Sequence, residues 1–148
     1  MQIRDYRKEG NEISIVLDSI DRSGLFFKEI YYTFLIYRNI DEQIVGYIDF
    51  RLGPEKIMYF AGNVGYQIKP SFRGHHYAYQ ALCLLVLFLK DFDLATSFWI
   101  SCSPENVASL TTIEKFQAHF LEEVDVPKSH WLYKRGEKRK RIYQVDLV

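Results

Sequence analysis

One stretch of this chain combines the residue types that a site for an anionic ligand needs. Residues 65–78 read Gly-Tyr-Gln-Ile-Lys-Pro-Ser-Phe-Arg-Gly-His-His-Tyr-Ala, which is typical of a strand that passes through a proline turn into a helix. The first N–H groups of a helix have no partner within it, and the helix dipole adds positive potential at that end. The segment therefore predicts a loop that binds a pyrophosphate through its backbone.

A second motif follows further along the chain. Residues 103–109 read Ser-Pro-Glu-Asn-Val-Ala-Ser, and a Glu-Lys pair stands at 114–115. Together the two segments resemble the GCN5-related N-acetyltransferase (GNAT) superfamily, whose signatures are Gln/Arg-x-x-Gly-x-Gly/Ala and Pro-x-Asn-x-x-Ser. Arg73 and Ala78 fill the first signature, while His76 stands where the family has its middle glycine. The motifs look most like those of the ribosomal-protein N-terminal acetyltransferase branch.

The resemblance implies acetyl-CoA as a co-substrate and no metal. The pyrophosphate would lie against backbone N–H groups of the loop, and the pantetheine arm would pair with the preceding strand. Asn106 and Ser109 match the family's contacts near the pantetheine, although either residue is also an ordinary helix cap. The implied cofactor-binding residues are Tyr66, Gln67, Ile68, Arg73, Gly74, His75, His76, Tyr77, Ala78, Asn106 and Ser109.

The positions that move protons in many family members hold other residues here. A glutamate before the loop and a tyrosine before the Glu-Lys pair are replaced by Asn63 and Ile113. An α-amine, with a pKa near 8, is far more often neutral at pH 7 than a lysine-like amine near about 10.4, so a site poor in bases suits low-pKa acceptors. The remaining candidates for proton transfer, directly or through water, are Asp49, Glu105 and Tyr66, with Glu55 and His119 as further substitutes.

These features predict an acyl-CoA-dependent N-acetyltransferase that moves the acetyl group directly to a primary amine of a protein N-terminus or a small molecule. A non-catalytic acyl-CoA-binding module is the alternative, because catalytic groups are missing from two expected positions. A nucleic-acid adaptor built on the basic run 134–141 is a third hypothesis. Nineteen basic residues balance nineteen acidic ones, so no global field favours nucleic acid, and a solvated turn between strands also accounts for the run.

Length and composition indicate an ordinary globular protein. The 148 residues, 48% of them hydrophobic, predict a single domain over 1–148 with a packed core. Cys83 and Cys102 have no spacing typical of a disulfide framework, and no signal peptide is recognised, so we expect a reduced, cytoplasmic protein. The longest apolar run, 81–89, is about half of the roughly 20 residues needed to cross a bilayer, which predicts a buried helix and no membrane partner.

Residue patterns place these motifs on a mixed sheet. Strands are predicted at 13–17, 31–38, 44–52, 63–68, 97–102, 122–126 and 141–147, and helices at 76–91 and 106–119. The second and third strands form a hairpin, and the strand–helix–strand order after 63 predicts a parallel crossover pair. The predicted fold class is α/β, more closely an α+β fold of the acetyl-CoA N-acyltransferase type, with a central, mostly antiparallel mixed sheet and flanking helices.

The N-terminal region departs from the family pattern. Turn residues at 18–24 are expected to close the first strand, and 19–30 leave room for one short helix at most. Family members usually have two helices there, which wall the acceptor pocket. We therefore expect an acceptor side with shorter walls, or one that a second chain completes in a homodimer.

Overall fold

The computed structural model describes residues 2–23 and 28–147. Its strands are β1 Arg7–Glu9, β2 Ile13–Ser23, β3 Glu29–Arg38, β4 Ile44–Leu52, β5 Val64–Ile68, β6 Ser97–Cys102, β7 His119–Asp125 and β8 Arg139–Asp146. Its helices are α1 Glu55–Ala61, α2 Tyr77–Asp91, α3 Val107–Lys115 and α4 Trp131–Lys134. The mixed α+β class predicted from the sequence is confirmed, as are the elements around the two motifs.

The first five strands form one antiparallel sheet in the order β1-β2-β3-β4-β5. The predicted hairpin is its centre, where Phe34 pairs with Ile48 across β3 and β4. Successive side chains along each strand point to opposite faces of the sheet. The helix α2 covers one of these faces with its buried leucines and Phe88. The rings of Phe34 and Phe88 meet edge to face, 4.7 Å between centroids, so the core lies between this sheet and α2.

The last three strands form a second antiparallel sheet in the order β6-β8-β7. The predicted parallel pairing of β5 with β6 is therefore wrong, because the two sheets separate between these strands. They are joined at one end only, where the N–H of Asn63 donates to the carbonyl of Trp99 over 2.7 Å. A strand–helix–strand pattern is the same whether or not its strands pair, so it could not reveal the separation.

The first predicted strand is too short. β2 continues through Ser23 and pairs with β3 as far as Glu29, so the predicted turn at 18–24 is wrong for residues 18–23. A register shift between Leu17 and Ser19 accommodates Asp18, which lets a segment of turn-forming residues remain extended. Residues 24–27, which include the end of the predicted turn, lie outside the described residues. Between β2 and β3 the described residues contain no helix.

Two short helices were missed by the sequence patterns. α1 begins directly after the Gly53-Pro54 turn and packs on β6, where the Ser101 hydroxyl donates to the carbonyl of Phe60 over 2.8 Å. Gly62 ends α1 with a φ of +77°, and a Cβ there would lie 3.0 Å from the backbone nitrogen of Ser101. Only glycine suits both the conformation and this approach to β6. α1 therefore lies on the face of the protein opposite α2.

Candidate active site

The loop between β5 and α2 has the backbone of an anion-binding site. After Ile68 the chain forms a 3₁₀ turn at Pro70–Phe72, then Gly74 takes a φ of +90° and α2 begins at Tyr77. Within the described residues, the backbone N–H groups of 74–78 have no hydrogen-bond acceptor. Consecutive free donors at a helix N-terminus are what a phosphate group requires. The predicted binding loop thus has the geometry that a pyrophosphate would need.

His76 takes the place of the glycine expected in the loop and adopts a left-handed backbone conformation. Its φ is +60°, in the left-handed region that glycine enters without strain and other residues enter at a cost of about 1 kcal/mol or more. The imidazole is exposed. A Cβ built on the neighbouring Gly74 would meet nothing within 4 Å, so open space lies above the loop. The loop therefore adopts at this position a conformation that glycine favours, although a histidine stands there.

Side chains around the loop hold it in place. The Nε of Arg73 donates to the carbonyl of Ile68 over 2.9 Å, so this predicted cofactor residue folds back on its own loop. The guanidinium of Arg38 lies 4.9 Å from the centre of the Phe72 ring. Tyr77 is buried and its ring stacks with that of His75, 5.2 Å between centroids. The loop is therefore fixed before any ligand binds.

The separation of β5 from β6 leaves the second edge of β5 without a strand partner beyond Asn63. Gln67 on this strand is exposed, whereas the side chain of Ile68 is buried in the core. Across the gap, the Oδ1 of Asn106 accepts from the N–H of Ser109 over 3.1 Å and caps α3. The cap begins α3, and Ser109 on this helix lies close to the Tyr66 hydroxyl of β5.

Tyr66 points from β5 towards α3. Its buried hydroxyl has no hydrogen bond of standard geometry in the described structure, although the side chains of Ser109 and Thr112 are close enough to affect it. Burial raises the pKa of the Tyr66 phenol, Cys102 raises it further, and the two hydroxyl side chains pull it partly back. A buried phenol without a settled partner is available to a ligand in the gap.

Asn63 and Ile113, which stand where many family members have catalytic groups, have structural roles in this protein. Asn63 uses its whole amide group, since Nδ2 donates to the carbonyl of Arg51 over 2.9 Å and Oδ1 accepts from the N–H of Trp99 over 2.8 Å. We call this set of bonds, with the Asn63 N–H bond to Trp99, the Asn63 clamp. Ile113 is fully buried in the core. Neither side chain can exchange a proton with a substrate.

Asp49 lies on the opposite face of the sheet from Tyr66. Its Oδ1 accepts from the N–H of Gly65 over 3.1 Å and lies 3.1 Å from the Nε of Arg51. Burial raises the pKa of the Asp49 carboxyl, while Arg51 and the Gly65 N–H lower it part of the way. A Cβ on Gly65 would come within 2.6 Å of the Arg51 guanidinium, so this glycine makes room for the ion pair. Glu105 and His119, by contrast, are simply exposed.

Sequence reasoning missed a cavity on the same face as Asp49. It has a volume of about 630 Å³ and lies between α1, β6 and residues 127–130. Aromatic side chains form much of its wall, above all Tyr59, Phe60 and Trp99. The sequence feature that could have revealed this cavity is the run of apolar residues at 57–61. It indicates a helix when the preceding Gly53-Pro54 turn is recognised as a helix start.

The basic run is largely neutralised by its own neighbours. Arg139 forms ion pairs with Glu123, at 3.0 Å, and with Asp125. Glu137 forms ion pairs with Arg135 and Lys140, both at 2.8 Å. The run extends from the last residue of α4 through a connection into the start of β8, so the predicted turn between strands also contains the end of a short helix. Cations held by carboxylates offer little field to a nucleic acid.

Comparisons with known proteins agree with the geometry. The family model of the acetyltransferase (GNAT) domain matches residues 11–119. No curated protein matches the chain. Among solved structures, the ribosomal-protein-S5-alanine acetyltransferase from Vibrio fischeri superposes with a TM-score of 0.66 at 12% identity, over 97% of its chain and 96% of this one.

Two further solved structures share the fold over 78% of this chain. One is an acetyltransferase from Salmonella typhimurium that modifies the N-terminal serine of ribosomal protein L7/L12, with a TM-score of 0.62 at 19% identity over 63% of that chain. The other is the microcin C7 self-immunity acetyltransferase in complex with acetyl-CoA and AMP, with a TM-score of 0.61 at 18% identity over 61% of that chain. At these identities the likeness shows the fold alone, and the predicted acetyltransferase fold is confirmed.

No helix within 2–23 and 28–147 combines the length and the apolar character needed to cross a membrane. In the same residues, no three His, Cys, Asp or Glu side chains are grouped as metal ligands would be.

Proposed function

The chain belongs to the GNAT acetyltransferase family, and on that premise we propose that it transfers the acetyl group of acetyl-CoA directly to a primary amine. The observation that carries the proposal is the row of unpaired N–H groups at 74–78, which follows directly on a strand whose second edge is free. A pyrophosphate at the loop and an extended arm along β5 would satisfy both sets of backbone groups. The predicted cofactor-binding residues belong to β5, to this loop and the start of α2, and to the start of α3.

In the proposed reaction the amine approaches from the face that carries Asp49, opposite α2 and α3. The neutral amine attacks the thioester carbonyl carbon, a C–N bond forms, the C–S bond breaks, and the thiolate leaves. A backbone N–H of β5 near Tyr66 would polarise the carbonyl oxygen, and such fixed donors commonly contribute several kcal/mol. The amine proton would pass to Asp49 or to water beside it, and we assign the protonation of the leaving thiolate to Tyr66, on the other side of the strand.

The acceptor and the setting are further parts of the proposal. Two proteins with this fold are named for ribosomal-protein substrates, which supports a protein α-amine as one acceptor class. A small-molecule amine is the other. Because the described residues between β2 and β3 contain no helix, a second copy could complete the acceptor side. We place the reaction in the cytoplasm, where acetyl-CoA is made and used.

The test is release of free thiol from acetyl-CoA with a panel of amines, together with the change in melting temperature caused by CoA. We expect CoA to raise the melting temperature and at least one amine class to support turnover. If CoA causes no shift at concentrations up to about 1,000 times a micromolar dissociation constant, where bound ligand adds about 4 kcal/mol, the phosphate-loop argument is wrong.

A second candidate function is a non-catalytic acyl-CoA-binding module. Asn63 and Ile113 favour it, because both occupy family catalytic positions and both are committed to the fold. It predicts the same shift in melting temperature with no thiol release on any amine. The two measurements together therefore separate an enzyme from a binding module.

A further inference from the structure

The cavity between α1 and β6, which we call the aromatic cavity, has one wall at the end of β5 opposite the phosphate loop. Trp99 lines it, and the backbone of Trp99 is bonded to Asn63, the residue directly before β5. An arm that runs along β5 from the loop at its other end would bring its thioester towards this end of the strand.

The walls of the aromatic cavity are built to face an apolar body. Tyr59 and Trp99 meet edge to face at 5.1 Å between centroids, and Tyr59 also packs on Phe60 at 5.3 Å. The Tyr59 hydroxyl is already bonded to Glu122, so this ring presents carbon rather than a free hydroxyl. The exposed polar residues of the lining, Glu55 among them, lie at the rim.

His130, the buried imidazole of this cavity, is held by two hydrogen bonds. Its Nδ1 accepts from the N–H of Leu132 over 3.0 Å, and its Nε2 lies 3.2 Å from the carbonyl oxygen of Ile57. Both ring nitrogens are therefore engaged within the protein. His130 thus shapes the cavity and joins residues 127–130 to α1.

We propose that the aromatic cavity binds the acceptor and selects a primary monoamine carried on an aromatic or hydrocarbon body. This inference rests on the proposed function. A polycationic acceptor such as an aminoglycoside would need several carboxylates, and the lining contains one, Glu55. A volume of about 630 Å³ is in the range of small-molecule sites. Transfer of an ammonium group from water to such a cavity lowers its pKa, which offsets the lack of a carboxylate at Asn63. The released proton passes to solvent.

Direct binding can be measured without turnover, because the protein has two tryptophans, Trp99 in the cavity and the exposed Trp131. In the Trp131→Phe variant, Trp99 is the only tryptophan, and its emission is titrated with 2-phenylethylamine, spermidine, kanamycin and a short peptide with a free α-amine. We expect a saturable change with 2-phenylethylamine alone. Thiol release is measured on the same four amines with the wild-type protein.

A blocking variant tests the location. Ser129→Phe adds a ring to an exposed residue of the cavity rim, and Thr96→Phe adds the same ring to an exposed turn elsewhere. We expect Ser129→Phe to raise the dissociation constant and the KM for 2-phenylethylamine by about tenfold or more, with CoA binding unchanged, and Thr96→Phe to leave both alone. Equal effects of the two variants, or a preference for spermidine, kanamycin or the peptide, would overturn the inference.

Failure of the proposed function would be seen separately. Saturable binding of 2-phenylethylamine that Ser129→Phe abolishes, in a protein that neither responds to CoA nor releases thiol, supports the cavity as an amine site and refutes the acetyltransferase proposal. Thiol release that is the same in Ser129→Phe and wild type supports the acetyltransferase and refutes the cavity as its acceptor site. Absence of any saturable change in Trp99 emission also refutes the amine site.

Discussion

Replacement of Asn63 by aspartate should damage the fold rather than restore a catalytic base. The change keeps the size of the side chain and the oxygen that accepts from Trp99, but it removes the donor to the carbonyl of Arg51. Loss of a partner by a buried polar group costs about 1–3 kcal/mol, and here a carboxylate oxygen also faces that carbonyl. We therefore expect a loss of about 2–4 kcal/mol at pH 8.

Each kcal/mol shifts the melting temperature of a protein of this size by about 2–4 °C, so Asn63→Asp should melt roughly 5–15 °C below wild type. The matched control is Asn106→Asp, which makes the same change at an exposed helix cap, where aspartate serves as well as asparagine. It should melt within about 2 °C of wild type. Both variants are compared by thermal melts and by thiol release.

The pH dependence adds a second check. Burial and the facing carbonyl would raise the pKa of the new carboxyl in the folded protein above its unfolded value. Such a group gives its full stability below the unfolded pKa and loses it as pH rises through the folded pKa. The deficit of Asn63→Asp should therefore shrink between pH 8 and pH 5. Equal melting of the two variants, or higher turnover in Asn63→Asp, would refute the clamp.

Three further predictions concern the loop, Tyr66 and Asp49. Gly74→Ala should reduce the CoA-induced rise in melting temperature, because the φ of +90° at Gly74 disfavours a Cβ. His76→Gly should instead stabilise the protein by about 1 kcal/mol, because glycine enters the left-handed region without strain. Identical CoA responses in the two variants would contradict the assigned role of the loop. Tyr66→Phe should keep its free energy of unfolding within about 1 kcal/mol of wild type, since its hydroxyl has no settled partner, but release thiol more slowly with unchanged CoA binding. Unchanged turnover would exclude a role for the hydroxyl. Burial raises the pKa of Asp49, so the free energy of unfolding of wild type relative to Asp49→Asn should fall as pH rises through that pKa. Urea unfolding at several pH values measures this difference. A difference that does not change with pH would show that the carboxyl is solvated.

The sequence predicted what short-range patterns determine. The β3–β4 hairpin, the α2 helix and the loop between β5 and α2 follow from alternation, helical spacing and the proline–glycine turn, and all three are present. The length of β2 was not predictable in this way, because Asp18 and Ser23 favour turns locally, yet pairing with β3 and one bulge keep them extended. Tertiary contacts decided that element, not propensity.

The part of the candidate site built from backbone N–H groups could be predicted from the sequence, whereas the part built from packed side chains could not. Free N–H groups follow from a turn that begins a helix, so the loop could be located from its residue types. The sequence showed that Asn63 lacks a carboxylate but not that it joins the two sheets, since its partners, Arg51 and Trp99, are distant in the chain. The aromatic cavity depends on α1, a helix too short for a clear periodic signal.

The left-handed turn at His76 has a consequence for how such sites are inherited. A phosphate held by main-chain hydrogens depends on a pair of torsion angles, and several residue types can supply those angles at modest cost. The function can then pass through lineages in which the recognisable letters have been replaced one by one. A search for the glycine alone would overlook a chain of this kind, whereas a search that reads the whole domain or the torsion angles of the loop would find it.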